Sequence, residues 1–192
     1  MRTLWTTGFA VVASGCIPHL YSDGADALGP WTAPDNDWGI ASPPAELAGT
    51  GFEVGQTAPD VRLVDQFGAE VSLWQFYGSV VLLDVSTMWC GPCQNLGEST
   101  EEVWSDYRDD GFVYLTVLQE NLTYGDVTTG DLNEWADTFG ISAPVLNDTE
   151  KTVPIPAGYP TVSVIGRDMR VFERVNPPDD DSVLRGAIEA AL

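Results

Sequence analysis

The sequence is poor in cations, in histidine and in cysteine. Its 192 residues hold 8 Lys+Arg against 29 Asp+Glu, a formal net charge of −21. Such a surface repels phosphate backbones and anionic headgroups, which excludes nucleic-acid binding. The acidity serves solubility, or suits a basic partner or a salty habitat. There are 3 Cys and 1 His. A structural zinc site takes four Cys or His ligands, and His19 is the only histidine. No metal is therefore expected. A long apolar run is also missing. The N-terminal apolar stretch is far shorter than the ~20 residues a spanning helix needs.

What is present suits one domain plus some extra chain. Hydrophobic residues make up 44% of the sequence, enough for a core. No internal repeat or second core is visible. Residues 1–15 carry one basic residue, Arg2, then a short run ending Phe9-Ala10-Val11-Val12-Ala13. This reads as an export signal. Ala13-Ser14-Gly15-Cys16 resembles the lipobox of bacterial lipoproteins, in which cleavage precedes a cysteine that carries a diacylglyceryl group. Cys16 is thus the expected lipidation site and the only membrane contact. A plain secretory signal and an ordinary N-terminal element are the alternatives. Residues 16–51 are rich in Gly, Pro, Ala and Asp, with Trp31 and Trp38 embedded. They read as a flexible tether. Residues 52–192 read as the folded domain.

Within that domain Val61-Arg62-Leu63-Val64 and Val71-Ser72-Leu73 predict two strands joined by a turn at residues 66–69. Val80-Val81-Leu82-Leu83 is a continuous apolar run, the mark of a strand buried on both faces. A helix is expected from just after Trp89 to about Tyr107, with Gly97 weakening or bending it. Residues 112–118 predict another buried strand. Asp131 is placed to cap a helix that Gly140 ends. Residues 161–165 and 170–174 flank Gly166-Arg167-Asp168 as a hairpin, and residues 183–191 form a last amphipathic helix. The pattern predicts an α/β fold with both faces of the sheet covered.

Trp89-Cys90-Gly91-Pro92-Cys93 is the strongest chemical signal. It follows a buried strand and opens a helix. Thiolate is the attacking species, and a free cysteine has a pKa of about 8.5. Unpaired N–H groups and the dipole at a helix N-terminus favour a negative sulfur. That effect is worth at most about 2 kcal/mol, or roughly one pKa unit. Two intervening residues let the second sulfur reach the first within one turn. Cys90, nearer the helix tip, is the expected nucleophile. Cys93 resolves the mixed disulfide. Gly91 and Pro92 form the turn, and Pro92 loses nothing in the first turn of a helix. The alternatives are a structural disulfide, a metal site and an inactive pair. The loop is so short that a disulfide there supplies only about 2 kcal/mol by chain entropy.

Residues 81–93 resemble the active-site strand and turn of thioredoxin. Val54-Gly55-Gln56-Thr57-Ala58-Pro59-Asp60, with Leu63, Asp65, Gly68 and Leu73, resembles the start of the TlpA-like, membrane-anchored thiol–disulfide oxidoreductases, a branch of the redoxin (AhpC/TSA-related) group. Tyr159-Pro160-Thr161 resembles that family's cis-proline turn. The resemblance implies a thioredoxin-like fold: a central mixed sheet flanked by helices, with an N-terminal β-hairpin extension. It implies a cis Tyr159–Pro160 bond facing the cysteines, with the Tyr159 backbone binding substrate. It implies that Asp84 is a buried acid behind Cys93, able to relay a proton. Trp89 is expected to shield the site and offer substrate an apolar contact. Two departures stand out. Residues 148–158, with Pro154 and Pro156, do not favour the helix that relatives place there. Tyr159 is bulkier than the usual Thr or Val.

The resulting expectation is an envelope oxidoreductase on the periplasmic side of a bacterial membrane, which reduces disulfides of exported proteins. It needs no cofactor beyond the redox-active Cys90–Cys93 pair. Its partners are disulfide-bearing exported proteins and a thiol–disulfide electron donor, and a monomer is expected. A thiol peroxidase and a non-catalytic binding module are the alternatives. Thr87 lies three residues before Cys90, as in peroxiredoxins, but Leu83 stands where they carry proline.

Overall fold

Two seven-residue strands carry the sheet, in a computed structural model that describes residues 30–175 and 181–192. They are β3 (Val80–Ser86) and β4 (Phe112–Leu118), and every residue of both is buried. They pair in parallel from Val80 opposite Phe112 to Ser86 opposite Leu118. The remaining strands are β1 (Arg62–Asp65), β2 (Glu70–Ser72), β5 (Val145–Asn147), β6 (Thr161–Ile165) and β7 (Val171–Val175). The order across the seven-stranded mixed sheet is β2-β1-β5-β4-β3-β6-β7. The hairpin β1–β2 is antiparallel and forms the expected N-terminal extension. Strand β5 was not anticipated. Three residues after Pro144 give no periodic pattern, and only pairing defines them, parallel with β4 and antiparallel with β1.

Side chains alternate between the two faces. Val80 and Leu82 share one face with Phe112, Tyr114 and Leu118. The helices lie there: α1 (Gly91–Tyr107), α2 (Thr129–Phe139) and α3 (Asp181–Ala191). They bury Leu96, Val103, Leu132, Trp135, Leu184 and Ile188. Gly97 lies where α1 meets α2. A Cβ there would stand 3.0 Å from the Phe139 ring, so the glycine permits a close approach. The cap of α2 is Thr128 rather than Asp131. Thr128 accepts from the Asp131 N–H, and the Asp131 carboxylate accepts from the Thr128 N–H, a reciprocal capping box.

The opposite face holds Val81, Leu83, Val85, Val113, Leu115 and Val117. Irregular chain and a 3₁₀ turn at Leu73–Gln75 close it. The three helices therefore do not divide between the faces. Residues 30–51, expected as a tether, take part in this cover. Trp38 and Leu47 pack against the buried cluster. Trp31 Nε1 donates to Ser72 Oγ at 3.0 Å, and Trp38 Nε1 to Asp65 Oδ2 at 2.8 Å. The Ala41 N–H donates to the Gln75 carbonyl at 2.7 Å. The proline-rich composition suggested a free linker, but a sheet face without helices leaves apolar surface that this arm buries. The signal, the lipobox with Cys16, and His19 lie outside the described residues.

The arm's packing predicts a stability effect. Trp38→Ala should lower stability by about 1–3 kcal/mol, since the ring is half-buried and its indole hydrogen bond is lost. Urea unfolding followed by circular dichroism reads this directly. A midpoint equal to the parent's would mean that the arm does not dock in solution.

Candidate active site

Strand β3 ends at Ser86, and residues 87–89 turn the chain into α1. Cys90 is the N-cap of that helix, with extended backbone at φ −83° and ψ 115°. Pro92 lies in the first turn, where its missing N–H is not needed. The Cys90 Sγ accepts from the Cys93 backbone N–H at 3.3 Å. The sulfur thus takes the place that a serine or aspartate oxygen holds at an ordinary cap. Cys90 and Cys93 are disulfide-bonded, with Cα atoms 5.2 Å apart. Cys90 is 5% exposed and Cys93 fully buried. Gly91 and Pro92 are exposed beside them. Of the two cysteines, only Cys90 therefore keeps contact with solvent.

The Tyr159–Pro160 peptide bond is cis. Thr161, the next residue, pairs with Val85. That register puts Pro160 at the end of β3 from which Cys90 follows. Tyr159 meets Trp89 edge to face at 5.9 Å between ring centres. Trp89, half-buried, also packs on Tyr124 at 4.9 Å.

Four residues that the sequence reading missed hold this wall. Trp89 Nε1 donates to Glu120 Oε2 at 2.8 Å, and Glu120 pairs with Lys151. The Tyr159 hydroxyl donates to Gln119 Oε1 at 2.8 Å. Gln119 Nε2 in turn donates to Asp148 Oδ2 and to the Val153 carbonyl, each at 2.7 Å. The hydrogen bond from Lys151, and then that from Trp89, hold the Glu120 carboxyl below its usual range against the opposing pull of burial. The loop 148–158 has no helix, as its prolines predicted. Asp148 organises it instead by accepting from the Thr152 and Val153 N–H groups. No spacing in the sequence joins residues 119–124 to 89 and 151–159. The order β5-β4-β3-β6 does so.

Asp84 lies on the helix face of β3, in the same alternation as Val80 and Leu82 and on the side of the Cys pair. It is 1% exposed. Ser86 Oγ donates to Asp84 Oδ1 at 2.6 Å. Asp84 Oδ2, Tyr114 Oη and Thr116 Oγ1 are buried without hydrogen-bond partners among the described residues. Burial dominates and raises the Asp84 pKa from 3.8 to about 7, against smaller lowering by Ser86 and Tyr114. Burial, and after it the nearby Asp84 charge, push the Tyr114 phenol far above its usual value.

Comparison with known proteins agrees with this geometry. The AhpC/TSA family profile matches residues 54–169. The thioredoxin-like protein YneN of Bacillus subtilis is 32% identical over 98 residues, which cover 51% of this chain and 55% of YneN. The chain thus spans about half of that relative's length. Thiol-disulfide oxidoreductase ResA of Geobacillus thermodenitrificans is 30% identical over 127 residues, 64% of this chain and 68% of ResA. A Chlorobium tepidum structure assigned as thiol:disulfide interchange protein DsbE is 29% identical, with a TM-score of 0.63 over 73% of this chain and 99% of that one. No helix among the described residues is long and apolar enough to cross a membrane. With its thioredoxin-like sheet and helices and a profile match over more than half its residues, this chain belongs to the AhpC/TSA family.

Proposed function

We propose that the chain is a thiol–disulfide oxidoreductase that reduces disulfides of exported proteins. The observation that carries this reading is Cys90 as helix cap, its sulfur on the Cys93 N–H and bonded to Cys93. The Cys90 thiolate attacks one sulfur of a substrate disulfide. That S–S bond breaks, and the departing thiolate takes a proton. A mixed disulfide now joins Cys90 to the substrate. Cys93 gives up its proton and attacks the Cys90 sulfur, expelling the second substrate thiolate. The Cys90–Cys93 disulfide forms, and two electrons have passed to the substrate. A dithiol donor restores the pair by the reverse steps. The same N–H that meets Sγ in the oxidised form serves the thiolate of the reduced form. Asp84, whose pKa lies near neutrality, accepts the Cys93 proton and returns it. The cis-Pro160 turn and Trp89 form the surface on which the substrate segment lies.

Cys90→Ser should abolish insulin-disulfide reduction, whereas Cys93→Ser should retain the first attack and trap mixed disulfides. Equal turnover by parent and Cys90→Ser would end the catalytic reading and leave a binding module. Peroxide consumption by the reduced parent faster than its disulfide reduction would favour the peroxidase instead.

Asp84 makes a prediction with a definite sign. The folded carboxyl keeps its proton to about pH 7, while the unfolded one loses it near 3.8. The folded state therefore binds the extra proton, and stability falls as pH rises from about 4 to about 7. The change amounts to up to about 4 kcal/mol. Asp84→Asn should flatten that slope in urea titrations at a series of pH values. It should also slow release of the mixed disulfide about a hundredfold. A variant with the parent's pH slope would remove Asp84 from the proton path.

The envelope location rests on residues 1–15 and the lipobox-like run at Cys16. Radiolabelled palmitate fed to a bacterial host should label the full chain, and Cys16→Ala should remove the label. An unlabelled parent would leave the protein secreted without a lipid anchor.

A further inference from the structure

A cleft of about 340 Å³ opens between α1 and α2, beside the cysteine pair. Its near wall is the turn that carries Cys90. Met88 and Gln94 line it, and Gln94 ties the turn together. Its side chain donates to the Met88 carbonyl at 2.7 Å, and its N–H to the Cys90 carbonyl at 3.0 Å. Its apolar lining comes from Trp135 and Phe139 of α2 and from Leu122 in the loop after β4, with the polar Asn95 and Thr138 beside them. Leu122 is 52% exposed, a large apolar side chain left in water at the lip. Two positions along, Tyr124 packs on Trp89, so the apolar strip runs from the cleft to the site.

Two carboxylates frame this floor, Glu98 on α1 and Glu134 on α2. Both are exposed, and neither has an ion-pair partner among the described residues. No lysine or arginine lines the cleft. Trp135 is 3% exposed, and its indole N–H has no acceptor among the described residues. A buried donor left unpaired is costly, and an entering segment can supply a carbonyl.

An aliphatic stem that ends in a cation fits these features. The methylenes lie on Trp135, Phe139 and Leu122, and the charged head reaches the carboxylates. Aromatic faces add attraction for a cation. Successive residues of an extended segment are about 3.3 Å apart, so residues beside a cysteine held at Cys90 can reach the cleft. We propose that the cleft between α1 and α2 is a specificity site that binds a lysine or arginine one to three residues from the target cysteine. This inference rests on the oxidoreductase reading and names the substrate class of that same site.

The test uses the pre-reduced full chain and peptides carrying one cysteine as a mixed disulfide with thionitrobenzoate. Attack on the peptide sulfur expels the coloured thionitrobenzoate anion, the better leaving group. Cys93 then releases the peptide thiol as the Cys90–Cys93 disulfide forms. One peptide flanks the cysteine with lysines and the other with glutamates. Salt at 0.5 M screens distant surface charge. The lysine peptide should react about fivefold faster. The double variant Glu98→Gln, Glu134→Gln should bring the ratio close to one. Asp109→Asn with Asp110→Asn makes the same charge change on a 3₁₀ turn away from the cleft, and should keep the ratio. Equal rates for the two peptides in the parent would overturn the cleft assignment. So would a preference that survives the glutamate changes or disappears equally in the aspartate control. Absence of colour with both peptides would instead overturn the oxidoreductase reading, and this inference with it.

Discussion

The parallel pairing of Val80–Ser86 with Phe112–Leu118 is the constraint on which the other elements depend. Both strands are buried along their whole length, so each face of the pair must be covered. Helices α1, α2 and α3 cover one face. The arm before β1, the 3₁₀ turn at Leu73–Gln75 and the loop around Val153 cover the other. The pairing also sets where the cysteine pair sits. β3 ends at Ser86, and four residues later Cys90 caps α1. Antiparallel pairing of β6 with β3 brings Pro160 to the same end. A cysteine at a helix tip and a proline turn some seventy positions away thus meet through one register.

The wall of the site is assembled from segments that share no local pattern. Trp89 is held by Glu120, and Glu120 by Lys151. Tyr159 is held by Gln119, and Gln119 by Asp148. Exposed ion pairs contribute little to stability, at most about 1 kcal/mol. The value of the Glu120–Lys151 pair lies in position. It fixes the carboxylate that orients the Trp89 indole, and the indole supports Tyr124 and Tyr159. The strained backbone of Tyr124, at φ 63°, is held by a turn built on Asn121, whose side-chain oxygen accepts from the N–H groups of Thr123 and Gly125.

One residue type does two jobs in this molecule. Carboxylates make up most of the charged groups and give the chain a formal net charge of −21. Asp84, the same chemical group, is sealed beneath the helices, where removal from water raises its pKa to about 7. Burial raises the pKa of one acid, while the acids outside keep the surface negative. At the cleft between α1 and α2 the exposed carboxylates of Glu98 and Glu134 stand beside an aromatic floor, next to the turn that carries Cys90.

Much of this was legible in the sequence. The apolar runs at 80–83 and 112–118 marked the central strands, and Gly140 marked the end of α2, where it takes the left-handed cap. The cysteine spacing and Pro92 placed the redox pair at a helix start. These are local signals, set by period, capping and backbone freedom, and they survive in one dimension. The proline-rich arm misled, because composition reports stiffness and polarity but not whether a sheet face lacks cover. Strand β5, the Thr128 cap, the Glu120–Lys151 pair and the Gln119–Asp148 pair were likewise hidden. Sequence alone fixes which side chains can ionise, cap or pack. Only the folded sheet decides which distant ones become neighbours and how much water is left around them, and that loss of water distinguishes Asp84 from the acids outside.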